Sequence, residues 1–382
     1  MQRVLPVEIR SEPGAVATGS YPDLESQLKT RSLPLPVLFL LLLSSMSSAI
    51  VSKVDDIRAQ LVGGLIAATP VPFDSESRLH EQAHASYLSY MASQPLAGVA
   101  VWAHTGRGLM LDDVTARRVL RDWREALPAQ VVIAGVGSRD DTGREQATAR
   151  TVKMAETAAE LGADALLVYA PTWLREHPMR DQLIVEHHRR VAAVGLPVIA
   201  FYLYEKAGGI SYSPAVLDQL LALPEVVGIK MATLDSVIRY QDVSRQLQAR
   251  HPDKLLITGE DRFLGYSLRR GARAALIGMG AVCCDLQAEL LGAHMNGDAA
   301  RFLELSDAVD RLAEVLFVDP MEGYIQRLLC ALVHLGVIPL EAANDPWGPQ
   351  LSRREFNEEF EDIGRTLDSF KVAALSTAMQ EL

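Results

Sequence analysis

The chain has 382 residues, and its 37 lysines and arginines against 48 aspartates and glutamates give a formal net charge of −11. This balance excludes a basic nucleic-acid-binding protein, and a hydrophobic content of 49% excludes a disordered acidic tail. The length fits two or three average domains, or one large barrel with additions. Three cysteines are too few for a disulfide framework or a four-ligand zinc site, so we expect a reducing compartment.

Residues 1–56 are predicted to be a disordered N-terminal extension outside the fold, because residues 1–31 lack apolar periodicity. The strongly apolar run over 36–43 is shorter than the roughly 20 residues that a membrane-spanning helix needs. Basic residues before this run and small residues after it fit a secretory signal over 29–49. Alternatively, translation begins at Met46, which predicts an ordinary polar N-terminus and a cytoplasmic protein.

Short runs rich in Val, Ile and Ala alternate with amphipathic stretches from residue 61 onward, which is typical of a parallel sheet covered by helices. Eight such units over 57–297 predict an α/β fold, a TIM (β/α)8 barrel. An open doubly wound sheet usually has a glycine fingerprint after its first strand, and 68–73 contains none. The predicted strands are 61–70, 98–104, 131–137, 163–170, 197–204, 226–232, 255–260 and 274–280.

Helical patterns continue beyond the eighth unit, over 298–316, 321–335 and 353–379. They predict a C-terminal helical extension over 298–382 rather than a second catalytic domain.

Lys230 is the sharpest candidate for a catalytic residue, because it lies inside the apolar strand predicted over 226–232. Lysine is rarely buried unless it is paired. Burial favours the neutral amine, which can attack a carbonyl carbon and form a Schiff base at the catalytic face of a barrel. The alternative is a structural lysine that pairs with Glu260 or Asp261.

Tyr202 lies near the C-terminal end of the preceding predicted strand. A phenol there can move the proton that imine formation and carbon–carbon cleavage both require. Tyr204 competes for this role, because strand alternation predicts that both tyrosines point to the same side. The simpler interpretation of Tyr202 is an aromatic residue of the barrel core.

The segment His104-Thr105-Gly106-Arg107-Gly108 follows the second predicted strand. Glycines let backbone amides approach an anion, and the Thr105 hydroxyl adds a donor, so this turn is a candidate site for a carboxylate. Arg107 could add a bidentate contact, or it could be only a surface salt-bridge partner.

The remaining histidine pairs predict no metal site. His80 and His84 have helical spacing, but no third ligand follows them. His187 and His188 lie in an amphipathic stretch, where a solvated face is expected.

These features together resemble the dihydrodipicolinate synthase/N-acetylneuraminate lyase family over about 61–340. The shared features are the TP-x-P-F end of strand one, the TG turn, the strand-five tyrosine, G-I-K in strand six and the helical extension. The resemblance implies class I aldolase chemistry, in which Lys230 forms a Schiff base with pyruvate or another 2-oxo acid and Tyr202 relays protons. It implies that Thr105 and the turn hold the substrate carboxylate.

The resemblance further implies that the imine on Lys230 serves in place of a cofactor. It implies a small-molecule partner, no nucleic acid or membrane partner, and a homo-oligomer, either a tetramer or a dimer. The Gly259-Glu260-Asp261 segment matches a family signature and is expected to be mainly structural.

Departures from the family pattern fall where substrate choice is made. His104 replaces a hydroxyl residue of the family's proton relay, Arg107 replaces an acidic residue, and the arginine that follows the strand-five tyrosine is missing. We therefore expect an aldolase or dehydratase for another 2-oxo acid or keto-deoxy sugar acid, not a true dihydrodipicolinate synthase. The alternative is an inactive barrel that is retained for small-molecule binding or regulation.

Overall fold

The structure is a computed structural model, and it describes residues 49–138 and 144–380. Eight parallel strands follow one another around a closed barrel: β1 (Leu65–Ala68), β2 (Gly98–Val101), β3 (Val131–Val136), β4 (Ala165–Tyr169), β5 (Val198–Leu203), β6 (Val226–Ala232), β7 (Leu255–Thr258) and β8 (Ala274–Ile277). Pairing of β8 with β1 closes the barrel. The predicted TIM barrel with a helical extension is confirmed.

A first helix, α1, covers 49–61 and precedes the barrel. The helices of the barrel are α2 (Glu81–Ala92), α3 (Asp113–Ala126), α4 (Arg144–Glu160), α5 (Arg180–Ala192), α6 (Pro214–Leu221), α7 (Val237–Arg250), α8 (Leu264–Arg269) and α9 (Cys284–Asn296). The extension consists of α10 (Ala299–Leu316), α11 (Tyr324–His334) and α12 (Arg353–Gln380). Seven of the eight predicted strands extend past the observed ones, because their last residues belong to the turns at the barrel mouth, whereas β6 has the predicted bounds.

Local sequence explains where several helices begin. The side chain of Asp112 accepts a hydrogen bond from the amide of Val114 at the start of α3. Ser213 caps α6 by accepting from the amide of Val216, and Pro214 takes the first helical position. These caps satisfy amides that the first turn of a helix leaves without an intrahelical partner.

The strands bury side chains on both faces. One face fills the barrel interior, where residues such as Ile133, Leu167 and Ile257 are shielded from solvent. The other face packs beneath the helices, as Val99 and Val132 do. Because each buried aliphatic side chain contributes roughly 1.5–3 kcal/mol, strand alternation strongly fixes which residues point inward.

A bulge between β5 and β6 decides which side chains of β6 reach the interior. The register shifts between Val198 and Ile199, so β6 carries one extra residue there. Gly228 lies at this shift, and a Cβ atom on it would lie 2.1 Å from the carbonyl oxygen of Leu255 on β7. Beyond the bulge, Lys230 points into the barrel.

Helix α1 begins within the predicted N-terminal extension and packs against the barrel. Val54, Ile57 and Leu61 are buried in the same apolar cluster as the barrel interior, and their spacing makes one stripe along α1. Residues 49–56 therefore belong to the fold, although a boundary at residue 56 was expected. The secretory signal and most of the extension concern residues 1–48, which lie outside the described part of the chain.

The helices of the C-terminal extension pack against one another, and the extension also contacts the barrel mouth. Arg327 of α11 is 1% exposed and makes two hydrogen bonds, of 2.9 and 2.8 Å, to the carboxylate of Glu359 on α12. The turn after β2 contacts Glu322, in the 3₁₀ turn before α11, and Tyr324, the first residue of α11. Within the ranges described above, no helix combines the length and apolarity that a membrane crossing needs.

Replacing Leu61 by alanine should lower the free energy of unfolding by about 2–5 kcal/mol, because it removes a fully buried side chain and leaves a cavity. The exposed neighbour Gln60 provides the matched control, and Gln60→Ala should change stability by less than about 0.5 kcal/mol. Urea unfolding of both variants measures the difference. Equally small effects would contradict a structural role for α1.

Candidate active site

Lys230 lies in the last half of β6, with its amine inside the barrel. The residue is 5% exposed, and Nζ lies 4.4 Å from the ring centroid of Phe201. Phe201 is the residue of β5 that pairs with Lys230. Gly259 makes room for the lysine, since a Cβ atom there would lie 2.7 Å from its Cε.

Burial makes the Lys230 amine easy to deprotonate. It lowers the pKa of Lys230 from the ordinary 10.5 to about 8, although the carboxylates of Asp261 and Glu260 act in the opposite direction. The neutral fraction at pH 7 therefore rises from below about 0.1% to about 10%. The barrel thus presents a nucleophilic amine at the strand ends where TIM-barrel enzymes carry their active sites.

The two acidic residues after β7 have different contacts. Glu260 accepts hydrogen bonds from the amide and hydroxyl of Thr233 and from the amide of Leu234, so it holds the loop after β6. Asp261 lines the same cavity as Lys230. Burial raises the pKa of Glu260 to about 7 and that of Asp261 to about 6. Glu260 therefore stabilises a loop, whereas Asp261 sets the electrostatics around the amine.

Tyr202 does not line the Lys230 cavity. It belongs to the outer cluster beneath the helices, and its hydroxyl accepts a hydrogen bond of 3.0 Å from Nη1 of Arg239. Side chains alternate along a strand, so Phe201 points inward and its neighbour Tyr202 points outward. The prediction that Tyr202 relays protons at Lys230 is therefore corrected by the register of β5.

Tyr204 does line the Lys230 cavity, so the two tyrosines fall on different sides. Strand β5 ends at Leu203, and the alternation that predicted a common side no longer applies beyond it. The Tyr204 hydroxyl donates a hydrogen bond of 3.2 Å to Oε1 of Glu322. Burial and the Glu322 charge raise the pKa of Tyr204.

The turn after β2 brings Thr105 to the cavity around the lysine. The Thr105 hydroxyl lies 3.0 Å from the hydroxyl of Tyr324. Gly106 is required here, because a Cβ atom on it would lie 2.8 Å from the carbonyl oxygen of Thr69. The Gly106 amide donates within the turn to Ala103, whereas the Thr105 amide has no backbone acceptor among the described residues. The hydroxyl and amide of Thr105 are therefore candidate donors for a ligand.

Arg107 binds carboxylates of the protein itself. Its Nε and Nη2 donate to the two carboxylate oxygens of Asp345 at 3.1 and 2.7 Å, and Nη1 donates to Glu322 at 3.1 Å. Arg107 has a left-handed backbone, with φ 49°, and this bidentate clamp holds the residue there. The guanidinium is already neutralised, so it positions the turn instead of offering a free bidentate site to a substrate.

His104 forms a pair with Glu322. Its Nε2 lies 2.9 Å from Oε2 of Glu322, which comes from the 3₁₀ turn before α11. Burial alone would raise the pKa of Glu322, but the hydrogen bond and charge of His104 and the guanidinium of Arg107 lower it to about 2. Glu322 is therefore an ionised carboxylate at neutral pH.

Two neighbouring cavities lie at this face of the barrel. The cavity around Lys230 has a volume of about 30 Å³, which holds about one water molecule. A second cavity of about 390 Å³ shares His104 and Leu203 with it, and we call it the distal cavity. Its described lining is mainly apolar and consists of Ala103, His104, Arg107, Gly108, Leu109, Met110, Ser138, Tyr169, Ala170, Thr172, Leu203, Ala207 and Gly208.

The sequence analysis missed Glu322, Tyr324 and Asp345. They lie 218, 219 and 238 residues from their partners in the turn after β2. No local motif marks them, because only the packing of the extension on the barrel gives them a role.

The other predicted histidine pairs lie outside this site. His80 caps α2, and His84 lies 3.3 Å from the carboxylate of Asp122. His187 and His188 are buried rather than solvated, because α5 turns both toward the barrel, and burial lowers the pKa of His187 to about 3. Among the residues that the structure describes, no group of three His, Cys, Asp or Glu side chains could hold a metal ion.

Comparisons with known proteins identify relatives. The sequence model of the dihydrodipicolinate synthetase family matches residues 61–361. The 4-hydroxy-tetrahydrodipicolinate synthase of Chelativorans sp. (strain BNC1) is 28% identical over 261 residues, which are 67% of this chain and 84% of that protein. The synthase of the same name from Bartonella quintana (strain Toulouse) is 25% identical over 288 residues, which are 73% and 93% of the two chains.

Solved structures share the fold. Dihydrodipicolinate synthase from Oceanobacillus iheyensis has a TM-score of 0.69 and 18% identity, over 83% of this chain and 99% of that chain. N-acetylneuraminate lyase from Mycoplasma synoviae has a TM-score of 0.64 and 20% identity, over 81% and 98%. At the general level, the family match and the curated relatives support a lyase of the class I aldolase type. With a family match over most of its length, the chain belongs to the dihydrodipicolinate synthetase family.

Proposed function

We propose that this protein is a lyase whose Lys230 amine forms an imine with the carbonyl carbon of a 2-oxo acid. The observation that carries the proposal is the inward-facing, buried amine whose pKa is lowered to about 8. An imine conjugated to a carboxylate withdraws electrons from the neighbouring carbon, so it can serve either aldol cleavage or dehydration. The reaction needs no cofactor, because the protonated imine is the electron sink.

The substrate carboxylate binds at Thr105 in this proposal. The hydroxyl and amide of Thr105 are donors beside the Lys230 cavity, and Gly106 lets the backbone approach closely. Arg107 acts indirectly, by fixing the turn through Asp345 and Glu322. The small volume of the Lys230 cavity requires side chains shared with the distal cavity to move when substrate enters.

The distal cavity holds the part of the substrate that is released or dehydrated. Its described walls are mainly apolar, and its cation, Arg107, is already paired with Asp345 and Glu322. Among the described residues, a second carboxylate would therefore lose its water shell without gaining a free positive partner. We infer a substrate with one carboxylate and a neutral distal group, which argues against a true dihydrodipicolinate synthase.

A second candidate is a barrel that binds a small molecule without turnover. Two observations favour it. Phe201, the residue of β5 that faces Lys230, has no proton that it can transfer, and the cavity there has a volume of only about 30 Å³. This candidate predicts ligand-dependent thermal stabilisation without a covalent adduct.

Borohydride reduction tests the imine directly. Incubation of the protein with pyruvate, longer 2-oxo acids and deoxy-keto sugar acids, followed by borohydride and intact-mass analysis, should reveal one adduct that maps to Lys230. Lys230→Met should abolish it, whereas Lys206→Met, at an exposed lysine just after β5, should keep it. No adduct with any acid, together with thermal stabilisation by one of them, would favour the binding-only candidate.

The rate of adduct formation should rise with pH through about 8. The reason is that only the neutral amine attacks, and the pKa of Lys230 is lowered by burial to about 8. Initial rates of trapping with cyanoborohydride between pH 6 and about 11.5 measure this midpoint. A midpoint near 10.5, the ordinary pKa of a lysine, would show that the amine is not desolvated.

Asp345→Asn should destabilise the protein by about 3 kcal/mol, because it leaves the Arg107 guanidinium, whose side chain is 10% exposed, without its main partner. Urea unfolding of Asp345→Asn, Arg107→Met and the double variant measures the coupling between the two residues. The losses should be strongly non-additive. Simple additivity would contradict the clamp.

A further inference from the structure

The residue of β5 that faces Lys230 cannot move a proton. Phe201 pairs with Lys230, and the Tyr202 hydroxyl bonds to Arg239 in the outer layer. A lyase that works through an imine nevertheless needs a group that takes and returns a proton beside the imine carbon. The described cavity lining offers five candidates for it besides the lysine: His104, Thr105, Tyr204, Asp261 and Tyr324.

His104 has the most suitable position among them. It lines both the Lys230 cavity and the distal cavity, so it lies where the bond between the two substrate fragments would be. An ordinary tyrosine has a pKa far above neutral pH, and burial raises the pKa of Tyr204 and that of Tyr324 above this ordinary value. An imidazole ordinarily changes charge near neutral pH, where a general base is most efficient, whereas Asp261 already accepts a hydrogen bond from the amide of Met279.

Glu322 orients this imidazole. Its Oε2 lies 2.9 Å from Nε2 of His104, while Arg107 and Tyr204 donate to the same carboxylate at 3.1 and 3.2 Å. A carboxylate that is held in this way keeps a proton on Nε2 and leaves Nδ1 as the acceptor. It also stabilises the imidazolium that forms when Nδ1 takes a proton.

We propose that His104 is the general acid–base residue of this lyase and that Glu322, from the C-terminal extension, is its positioning residue. The proposal rests on imine formation at Lys230. In the protonated imine of pyruvate, Nδ1 of His104 removes a proton from C3. The C–H electron pair becomes the C2–C3 double bond, and the electrons of the C2–N double bond return to nitrogen. The reverse transfer delivers a proton to C3.

The charge state of His104 depends on all groups around it. The negative Glu322 is the nearest and favours the imidazolium, while the positive Arg107 opposes it. The other titratable groups that face this region are Tyr204, Lys230, Asp261 and Tyr324, whose ring stacks on His104. Removing the charge of Glu322 therefore removes the nearest electrostatic stabilisation of the imidazolium.

Exchange of the pyruvate methyl protons with deuterium oxide tests the proposal without knowledge of the natural substrate. Proton NMR follows loss of the methyl signal with the full chain, and borohydride trapping is measured on the same samples. His104→Asn should slow exchange about 100-fold or more, while the Lys230 adduct persists. Glu322→Gln should slow exchange about tenfold and shift the acidic limb of its pH profile to lower pH.

Control variants separate this assignment from its rivals. His294→Asn, in the last turn of α9, is the matched histidine control and should exchange like the unmodified protein. Tyr202→Phe should also retain exchange. The proposal is overturned if the His104→Asn variant forms the Lys230 adduct and exchanges the methyl protons at a rate within threefold of that of the unmodified protein. It is also overturned if Tyr324→Phe is the one variant that loses exchange. If the unmodified protein gives no adduct, the proposed imine chemistry fails, and the role of His104 fails with it.

Discussion

Burial of the Lys230 amine is the interaction on which the rest of the site depends. An ammonium inside an apolar barrel loses its water shell, so the charged form is disfavoured, and the carboxylates of Asp261 and Glu260 and the face of the Phe201 ring compensate it in part. The bulge in β6 turns the lysine inward, and Gly259 gives its side chain space. Without the bulge, Lys230 would lie on the strand face that packs beneath the helices, and without Gly259 a Cβ atom would lie 2.7 Å from its Cε.

The C-terminal extension completes the barrel rather than merely following it. It supplies Asp345 and Glu322, which neutralise Arg107 and hold the turn that carries Thr105. The same Glu322 carboxylate bonds to His104. Loss of the extension would leave a buried guanidinium without partners and an imidazole without orientation. Stability and site geometry are therefore coupled through one small set of ion pairs.

Sequence periodicity was sufficient for the fold, because eight repeats of a buried strand and a helix leave few alternatives. The sequence also singled out Lys230, since a lysine within an apolar strand is conspicuous, and the structure places it inside the barrel, while its catalytic role stays a prediction. Periodicity did not predict which way Tyr202 points, because a position near the end of a strand does not give the strand register. Phe201 and Tyr202 are adjacent, and only the pairing of Phe201 with Lys230 decides which of them faces inward. It could not find Glu322, whose role arises from a contact 218 residues away.

The most direct test of the account is a crystal structure of the protein after borohydride reduction in the presence of pyruvate. The account predicts continuous density from Nζ of Lys230 to C2 of the reduced ligand, with the carboxylate at Thr105 and the ligand methyl carbon on the side of His104. An unmodified Lys230 beside a non-covalently bound pyruvate, or an adduct on any other lysine, would contradict it.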